Sequence, residues 1–342
     1  MGNVLFRVES GDGVGLGHLQ RCVSLATALA ELGHESTFIV SGGAHSLARV
    51  ERAGFRVVDL ATASPGSEAD AQTVLAAIAD HRCGAIVTDS YLVDQEYMRV
   101  VASSSAALVA IDDLARETPP ASIIVNTTID ADDAVYDGVG RDAELLMGIG
   151  YAILGPQYWD LGPREITGKP QRVLMTLGGA DGKNLTPVLL ASLDGVNADF
   201  TVDVVIGPFN VHQVEVEEAS HACERAVQLL TGQESLQKHM WGTDIAISAA
   251  GQTLYELAVT GTPTVAIQVA DNQAPNMRGF AEEGCIESVV AGNRKDAGEA
   301  TANKVAALIN DQQRRLAMSA AGRRLIDGQG ARRVARAIDR VL

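Results

Sequence analysis

The stretch that decides the fold lies at residues 3–33, NVLFRVESGDGVGLGHLQRCVSLATALAELG. Residues 3–8 are mostly apolar and have the length of a buried strand. From His18 to Leu32, apolar residues at 19, 22, 23, 26, 29 and 30 fall on one helical face. Gly33 then ends the helix. A strand, a glycine-rich turn and a helix in this order predict the first βαβ unit of a parallel sheet.

The same alternation continues along both halves of the chain. Further strands are predicted at 37–40, 55–59, 85–88, 107–111 and 123–126, and then at 172–177, 200–206, 226–230, 244–248 and 264–269. Between the two series, LGPREITGKP at 161–170 breaks the pattern with prolines, glycines and charges. We therefore predict an α/β protein with a Rossmann-like domain at 1–160, a linker at 161–170 and a second Rossmann-like domain at 171–342. Ligands are expected between the two doubly wound domains, which would face each other across a cleft.

Composition narrows the classes of function. The chain has 342 residues, 46% of them hydrophobic, and a formal charge of −16, which disfavours nucleic acid as a partner. Its four cysteines, Cys22, Cys83, Cys223 and Cys285, are widely spaced, as in a cytoplasmic protein with reduced thiols. No leader pattern and no run of ~20 apolar residues is present, so stable membrane insertion is not expected.

The glycine-rich loop GDGVGLGH at 11–18 joins the first strand to the first helix. Gly15 and Gly17 let the backbone approach a ligand, and free N–H groups at a helix start suit an anion. The glycines alternate and no acidic residue ends the second strand, which argues against a dinucleotide cofactor. His18 begins the helix and is a candidate general base, although a histidine that merely caps or packs is the alternative. Arg21, one turn later, is a candidate substrate ligand.

Polar residues follow two later strands of the first domain. Asp89 and Tyr91, in TDSY at 88–91, are placed where ligands bind, and we expect both to orient the substrate. Tyr91 is equally consistent with a plain interface aromatic. Asp112 and Asp113 end the next strand; two carboxylates suit Mg²⁺, but capping of the following turn is favoured. No metal and no cofactor is predicted.

The second predicted domain contains two more loops of small residues between a strand and a helix. GGADGKNLT at 178–186 and SAAGQTLYE at 248–256 each join a strand to a helix through small residues. Such loops expose backbone N–H groups to a diphosphate. Glu256, on the first turns of the following helix, is expected to accept hydrogen bonds from the ribose hydroxyl groups. An ordinary surface acid is the alternative for Glu256, and a helix cap is the alternative for ADNQ at 270–273. The predicted substrate ligands are Gly178, Gly179, Asn184, Ala250, Gly251, Gln252, Thr253, Glu256, Asn272 and Gln273.

Together these motifs resemble the UDP-sugar hydrolases of pseudaminic acid biosynthesis and the related spore-coat polysaccharide proteins, within the GT-B superfamily of MurG-like enzymes. The resemblance is carried by Phe6-Arg7, GLGHLQRC at 15–22, TDSY at 88–91, Asp112-Asp113, Val125-Asn126, GYAIL at 150–154, GGAD at 178–181 and Asn184-Leu185. It implies a GT-B architecture. SAAGQTLYEL at 248–257 and ADNQ at 270–273 instead look like the MurG-type glycosyltransferases.

The resemblance also implies a reaction. Enzymes of the hydrolase family remove UDP from a 2,4-diacetamido-2,4,6-trideoxy sugar by attack of water at the anomeric carbon, without a metal. His18 corresponds to their catalytic histidine and Tyr91 to a tyrosine of their active site. We expect hydrolysis of such a UDP-sugar with anomeric inversion. An inverting glycosyltransferase with the same UDP site is the first alternative, and a non-catalytic sugar-nucleotide binding protein is the second.

Overall fold

The structure is a computed structural model and describes residues 1–10, 17–41, 43–60, 64–115, 117–137 and 143–342. Gly15 lies outside the described residues. The strands are β1 (Asn3–Glu9), β2 (Glu35–Ser41), β3 (Arg56–Asp59), β4 (Cys83–Asp89), β5 (Ala107–Ile111), β6 (Ile123–Asn126), β7 (Glu144–Met147), β8 (Arg172–Thr176), β9 (Thr201–Ile206), β10 (Val227–Thr231), β11 (Ile245–Ala249), β12 (Thr264–Ile267) and β13 (Ile286–Val289). The helices are α1 (Gly17–Glu31), α2 (Ala44–Arg52), α3 (Glu68–Asp80), α4 (Gln95–Ala102), α5 (Thr186–Leu193), α6 (Gln213–Ala222), α7 (Gln237–Gly242), α8 (Thr253–Thr260), α9 (Ala274–Glu282), α10 (Arg294–Asn310), α11 (Gln312–Leu325) and α12 (Gly330–Asp339).

The strands form two parallel sheets, which confirms the predicted α/β class. The first sheet has the order β3-β2-β1-β4-β5-β6-β7 and the second the order β10-β9-β8-β11-β12-β13. In each sheet the strand order reverses once, between β1 and β4 in the first and between β8 and β11 in the second. Doubly wound sheets bind their ligands beyond the carboxyl ends of the strands at such a reversal. The loops after β1, β4, β8 and β11 are therefore the candidate ligand-binding loops.

Two edge strands, β7 and β13, were not predicted from the sequence. Each is only four residues long and carries a glutamate, Glu144 or Glu287, which interrupts the apolar pattern. Charges on edge strands prevent pairing with other chains. The carboxylate of Glu287 accepts hydrogen bonds from Lys304 at 2.9 Å and Arg314 at 3.0 Å. The missed strands are thus short edge strands in which a charged residue leaves no continuous apolar run.

The first compact unit consists of Met1–Trp159 and Gly328–Leu342. Its core contains the predicted apolar face of α1, with Leu19 and Leu29 fully buried, while Ala30, expected on that face, is exposed. On the same side of the sheet the Phe6 and Phe38 rings stack with centroids 4.7 Å apart. This packing fixes the start of α1 against the ends of β1 and β4.

The last helix, α12, belongs to the first unit and corrects the predicted boundary at 171–342. Val334 and Ile338 are fully buried in the first core. A Cβ at Gly330 would lie 2.2 Å from the carbonyl oxygen of Ala152, so only glycine permits this approach. The Arg332 guanidinium lies over the Trp159 ring, 4.6 Å from its centroid. The chain therefore returns to its first unit after completing the second, a long-range contact that helical periodicity alone does not reveal.

The second compact unit is Asp160–Asp327 and includes the residues predicted as a linker. Three arginines hold this segment in place. Arg315 and Arg323 donate to its carbonyl oxygens, and Arg164, which belongs to it, donates to carbonyl oxygens outside it. Arg164 donates to Met240 at 3.0 Å, Arg315 to Thr167 at 2.7 Å and Arg323 to Gly162 at 2.7 Å. Carbonyl oxygens that are not used by regular structure thereby find partners. No helix among the described residues has the length and apolar character needed to cross a membrane.

Candidate functional site

The first unit brings the start of α1 and the end of β4 together at the strand reversal. β1 and β4 are neighbours, with Val8 opposite Asp89 in the parallel register. α1 begins at Gly17, so His18 occupies its first turn and Arg21 follows one turn later on the same face. Both side chains are buried, with residue exposures of 6%. Local structure thus aims a histidine and an arginine at the carboxylate that ends β4.

His18, Arg21 and Asp89 form a compact hydrogen-bonded cluster. His18 Nδ1 lies 2.5 Å from Asp89 Oδ1, and Arg21 contacts both oxygens of Asp89, Nε to Oδ2 at 2.5 Å and Nη2 to Oδ1 at 2.6 Å. Arg21 Nη1 also donates to Asp113 Oδ2 at 2.5 Å. A bidentate arginine–carboxylate pair of this kind has both strength and a fixed geometry. The cluster therefore holds Asp89 in one orientation.

The cluster also determines which ring nitrogen of His18 carries the proton and which one can act as a base. Burial by itself would raise the pKa of Asp89, but the Arg21 charge and the bonds from Arg21 and His18 outweigh it and hold that pKa well below its usual range. An ionised carboxylate only accepts hydrogen bonds, so Nδ1 of His18 carries the proton in this contact. Arg21 Nη2 is 3.2 Å from the same nitrogen, but its shorter bond to Asp89 takes precedence. In the neutral ring Nε2 is then the basic atom.

Tyr91 borders this cluster. Its ring meets the His18 ring edge-on, with centroids 4.4 Å apart and planes at 89°. Burial, followed by the nearby Asp113 carboxylate, raises the pKa of Tyr91 to about 12. The phenol consequently keeps its proton at neutral pH and can donate a hydrogen bond. Tyr91 is therefore compatible with both interpretations made from the sequence: its ring packs against His18, and its hydroxyl can donate a hydrogen bond.

Asp89 and Arg21 need a different interpretation from the one made on sequence. Both were expected to contact substrate, but Asp89 is fully buried and each of its oxygens is occupied by His18 or Arg21. Arg21 divides its guanidinium between two carboxylates. We therefore regard the two residues as groups that position His18. Their spacing of 68 residues along the chain explains why the sequence did not reveal the contact.

The two aspartates after β5 have separate roles. Asp112 Oδ1 accepts from the backbone N–H groups of Leu114 and Ala115 at 3.1 and 2.9 Å, which is the predicted capping of the turn. Asp113 binds Arg21 instead. Within the described part of the chain, no group of three or more His, Cys, Asp or Glu side chains is placed to hold a metal ion.

In the second unit, the loop after β8 is shaped by three residues with left-handed backbone. Gly178, Asp181 and Asn184 have φ angles of +81°, +44° and +48°. Asp181 explains the shape, because its carboxylate accepts from Leu185 N at 2.9 Å and from Thr186 N at 3.0 Å and so caps α5. Asn184 Oδ1 is buried without a partner among the described residues. Strained backbone and an unsatisfied amide are common at binding sites.

The same loop lies against the residues that follow β9. Phe209 N donates to Gly179 O at 2.9 Å. A Cβ at Gly207 would approach the carbonyl oxygens of Gly178 and Gly179 to about 2.5 Å, so this position requires glycine. The predicted ligands Gly178, Gly179 and Asn184 thus belong to one braced loop. The sequence analysis gave Asp181 of this loop no role. Its position five residues before the start of α5 was the available signal.

The predicted ligands in the loop after β11 differ in their accessibility. Gly251 and Gln252 precede α8, which begins at Thr253, and Glu256 lies in its first turn. Ala250 is fully buried and its N–H donates to Ile267 O at 3.2 Å, so it is not available to a ligand. Glu256 is half-buried. The helix start predicted from the sequence is therefore present, but Ala250 is not among the residues that can contact a ligand there.

The residues after β12 support this loop. Gln273 Oε1 accepts from Val269 N at 3.0 Å; this N–H precedes the helical residues, so the bond is not the helix cap considered as the alternative. Asn272 is exposed. Asn276, which the sequence did not single out, donates to Ala250 O at 3.2 Å and accepts from the Tyr255 hydroxyl at 3.0 Å. These bonds join α8 and α9 at the strand reversal of the second sheet.

A buried polar network on the other face of the first sheet also escaped the sequence analysis. Arg7 is fully buried and pairs with Asp70, Nη2 to Oδ2, at 2.6 Å, and the Tyr97 hydroxyl donates to Asp70 at 3.0 Å. Beside it, Ser90 donates to Glu9. Burial raises the pKa of Glu9 against the effect of that hydrogen bond. The one available signal was an arginine within an otherwise apolar strand.

No protein-family model matches the chain. Among curated proteins, it is 24% identical over 276 residues to the pseudaminic acid cytidylyltransferase and UDP-2,4-diacetamido-2,4,6-trideoxy-beta-L-altropyranose hydrolase of Helicobacter pylori, covering 80% of this chain and 46% of that protein. It is 27% identical over 222 residues to the spore coat polysaccharide biosynthesis protein SpsG of Bacillus subtilis, covering 60% of this chain and 64% of that protein. The match thus spans less than two thirds of either relative. These findings confirm the resemblance expected from the motifs.

Solved structures confirm the fold class. The crystal structure of MurG from Acinetobacter baumannii superposes with a TM-score of 0.71 at 15% identity, covering 99% of this chain and 100% of MurG. The fold is therefore of the GT-B type, with two Rossmann-like units.

Proposed function

We propose that this protein hydrolyses a UDP-sugar, releasing UDP and the free sugar with inversion at the anomeric carbon. The observation that carries the proposal is the His18–Asp89 contact of 2.5 Å at the strand reversal of the first unit. The name of the Helicobacter pylori relative includes a UDP-sugar hydrolase activity, which supports this reaction and a diacetamido-trideoxy sugar as its substrate.

His18 would act as the general base. With Nδ1 bound to Asp89, its Nε2 is free to take a proton from water as the oxygen attacks the anomeric carbon. The ionised Asp89 then stabilises the imidazolium that forms, as a carboxylate does behind a catalytic histidine. Arg21 keeps Asp89 ionised and oriented, and Tyr91 would donate a hydrogen bond to the sugar.

The second unit would bind UDP. The braced loop at Gly178–Gly179 would bring its backbone close to a diphosphate, and the start of α8 at Thr253 would supply the positive end of a helix to it. Both would also stabilise the charge on the leaving UDP. Asn184 with its unpaired oxygen and Glu256 in the first turn of α8 are the side chains we propose for contacts to the nucleotide.

A glycosyltransferase is the second candidate. The segment SAAGQTLYEL at 248–257 looks more like MurG-type enzymes, and the superposition with MurG covers the whole of that structure. The residues for UDP and for the base would be the same, while an acceptor hydroxyl would replace water. The two candidates therefore differ only in the nucleophile.

The reaction in heavy-oxygen water tests the proposal. Water activated by His18 attacks carbon, so the label should appear on the free sugar and not on UDP. As with base-activated water in inverting glycosidases, the first-formed anomer, observed by rapid NMR, should be opposite to that of the substrate. Label on UDP would contradict attack at carbon. UDP-sugars that bind but release no sugar until an acceptor is added would establish the transferase.

A further inference from the structure

A partly open cavity of about 240 Å³ lies beside His18, wholly within the first unit. It is formed by the ends of β4 and β5 and the start of α4. Tyr91 is part of its wall and is also the residue whose ring meets His18. The apolar side chains of the wall are Leu92, Val93, Met98, Ala110, Ile111 and Leu114. The cavity therefore adjoins the proposed reaction centre through a single aromatic ring.

Most polar groups of the wall are already engaged within the protein. Asp112 accepts from two backbone N–H groups and from the Tyr136 hydroxyl at 3.0 Å. Asp94 caps α4 by accepting from Tyr97 N at 2.8 Å, and Gln95 donates to Thr118 O at 2.7 Å. Thr88 and Ser90 donate to Val109 O and to Glu9, and Glu117 contributes an exposed carboxylate to the wall. A bound group would thus meet the apolar side chains together with this one carboxylate.

Tyr91 supplies a hydrogen-bond donor to the wall. Its hydroxyl makes no hydrogen bond to any other described residue. Because the phenol stays protonated at neutral pH, it presents one donor at the side of the cavity nearest His18. The site therefore combines an apolar chamber with a single hydrogen-bond donor close to the reacting sugar.

We propose that this cavity binds the alkyl part of an N-acyl group on the transferred sugar, with the acyl oxygen accepting from the Tyr91 hydroxyl. This acyl group is longer than the acetyl groups of the diacetamido sugar in the name of the Helicobacter pylori relative, so the substrate here differs from that sugar in one acyl group. The inference rests on the proposed function, which brings the sugar next to His18. The cavity size supports the length, because an apolar cavity of about 150 Å³ already holds benzene. An acetyl methyl would leave most of the chamber unfilled.

Binding of three probes, UDP-N-acetylglucosamine and its N-butanoyl and N-hexanoyl analogues, measures the acyl contribution. Burial of a methylene strengthens binding by about fourfold. We expect the butanoyl probe to bind roughly tenfold more tightly than the acetyl probe. Methionine labelled with ¹³C at the methyl group reports the location, since the Met98 signal, assigned with Met98→Leu, should shift more as the acyl chain lengthens.

Two matched variants localise the effect. Leu92 is 54% exposed and lines the cavity, so Leu92→Trp should fill the chamber and abolish the preference for long acyl groups while leaving the affinity for UDP itself unchanged. Val100 in α4 is 37% exposed and lies outside the cavity wall. Val100→Trp should keep the full dependence on acyl length.

The outcomes separate this inference from the proposed function. Release of UDP that is independent of acyl length, with an unchanged Met98 signal, would overturn the acyl site and leave hydrolysis intact. A Met98 shift that grows with acyl length, without release of UDP from any probe or from a diacetamido-trideoxy UDP-sugar, would keep the acyl site and overturn hydrolysis. Failure of every probe and of UDP to bind would remove both.

Discussion

His18 is the residue on which the proposed chemistry depends most. Loss of a general base usually lowers the rate by ~10²–10⁴. We expect His18→Gln to lower kcat by this factor and to change UDP affinity by less than a few fold, because the proposed UDP ligands lie in the other unit. Steady-state kinetics and calorimetry measure the two effects. His221→Gln, at an exposed position, is the control and should behave as wild type. Normal turnover by His18→Gln would remove this residue from the mechanism.

Asp89 links the cluster to the pH dependence of stability. Its pKa in the folded protein is below the unfolded value of about 3.9, so its contribution is complete above that pH and is lost as the pH falls further. Asp89→Asn removes one of the two carboxylates that share the buried charge of Arg21. We expect the free energy of unfolding to drop by about 3–5 kcal/mol at pH 7. Urea titrations should show this difference shrinking below about pH 4. A difference that stays constant down to pH 3 would contradict the pairing.

At the level of elements, the cap of α5 is a test of the second proposed site. Replacing a capping aspartate by alanine costs about 0.5–2 kcal/mol. Asp181→Ala should lose this much in urea unfolding and should also weaken UDP binding, because alanine is strained at a φ of +44°. Asp181→Asn is the matched control for the backbone, since asparagine tolerates left-handed backbone and its amide oxygen still accepts one of the two N–H bonds that Asp181 accepts. Equal UDP affinities in the two variants would place the nucleotide elsewhere.

The elements show which features a sequence can specify. β1, the glycine loop and α1 were predicted because their signals are local: an apolar run, glycines and a 3.6-residue period. The partners of Arg21 were not, because Asp89 and Asp113 lie 68 and 92 residues away along the chain. Parallel sheets bring such residues together through strand order, which no local pattern encodes. For the same reason His18 was identified as a candidate while the role of Asp89 behind it was not.

At the level of the whole molecule, the chain carries a natural reporter for each unit. It has two tryptophans, Trp159 in the first unit and Trp241 in the second. Ile338 in α12 is fully buried, and truncation of such a side chain costs about 2–5 kcal/mol. Ile338→Ala should lower the unfolding midpoint seen by Trp159, measured by fluorescence with Trp241→Phe in the background. Leu308→Ala in α10 is the counterpart and should act first on the transition seen by Trp241.

The opposite pattern for Ile338→Ala, a shift in the Trp241 transition with Trp159 unaffected, would contradict the assignment of α12 to the first unit. The boundary matters because a truncation placed after residue 327 would remove part of the first core while leaving Asp160–Asp327 complete.

The return of α12 has a consequence for synthesis on the ribosome. At 5–20 residues per second, the segment from Asp160 onward takes roughly 10–40 s to be made, and during that time the first unit, which contains His18, lacks the helix that packs on α1. The second unit is continuous, so it can complete its core first although it is translated later. Nascent chains stalled just before and just after α12 emerges should differ in protease resistance at the first unit. The part of the fold that surrounds the His18 cluster would thus be completed only when synthesis of the chain ends.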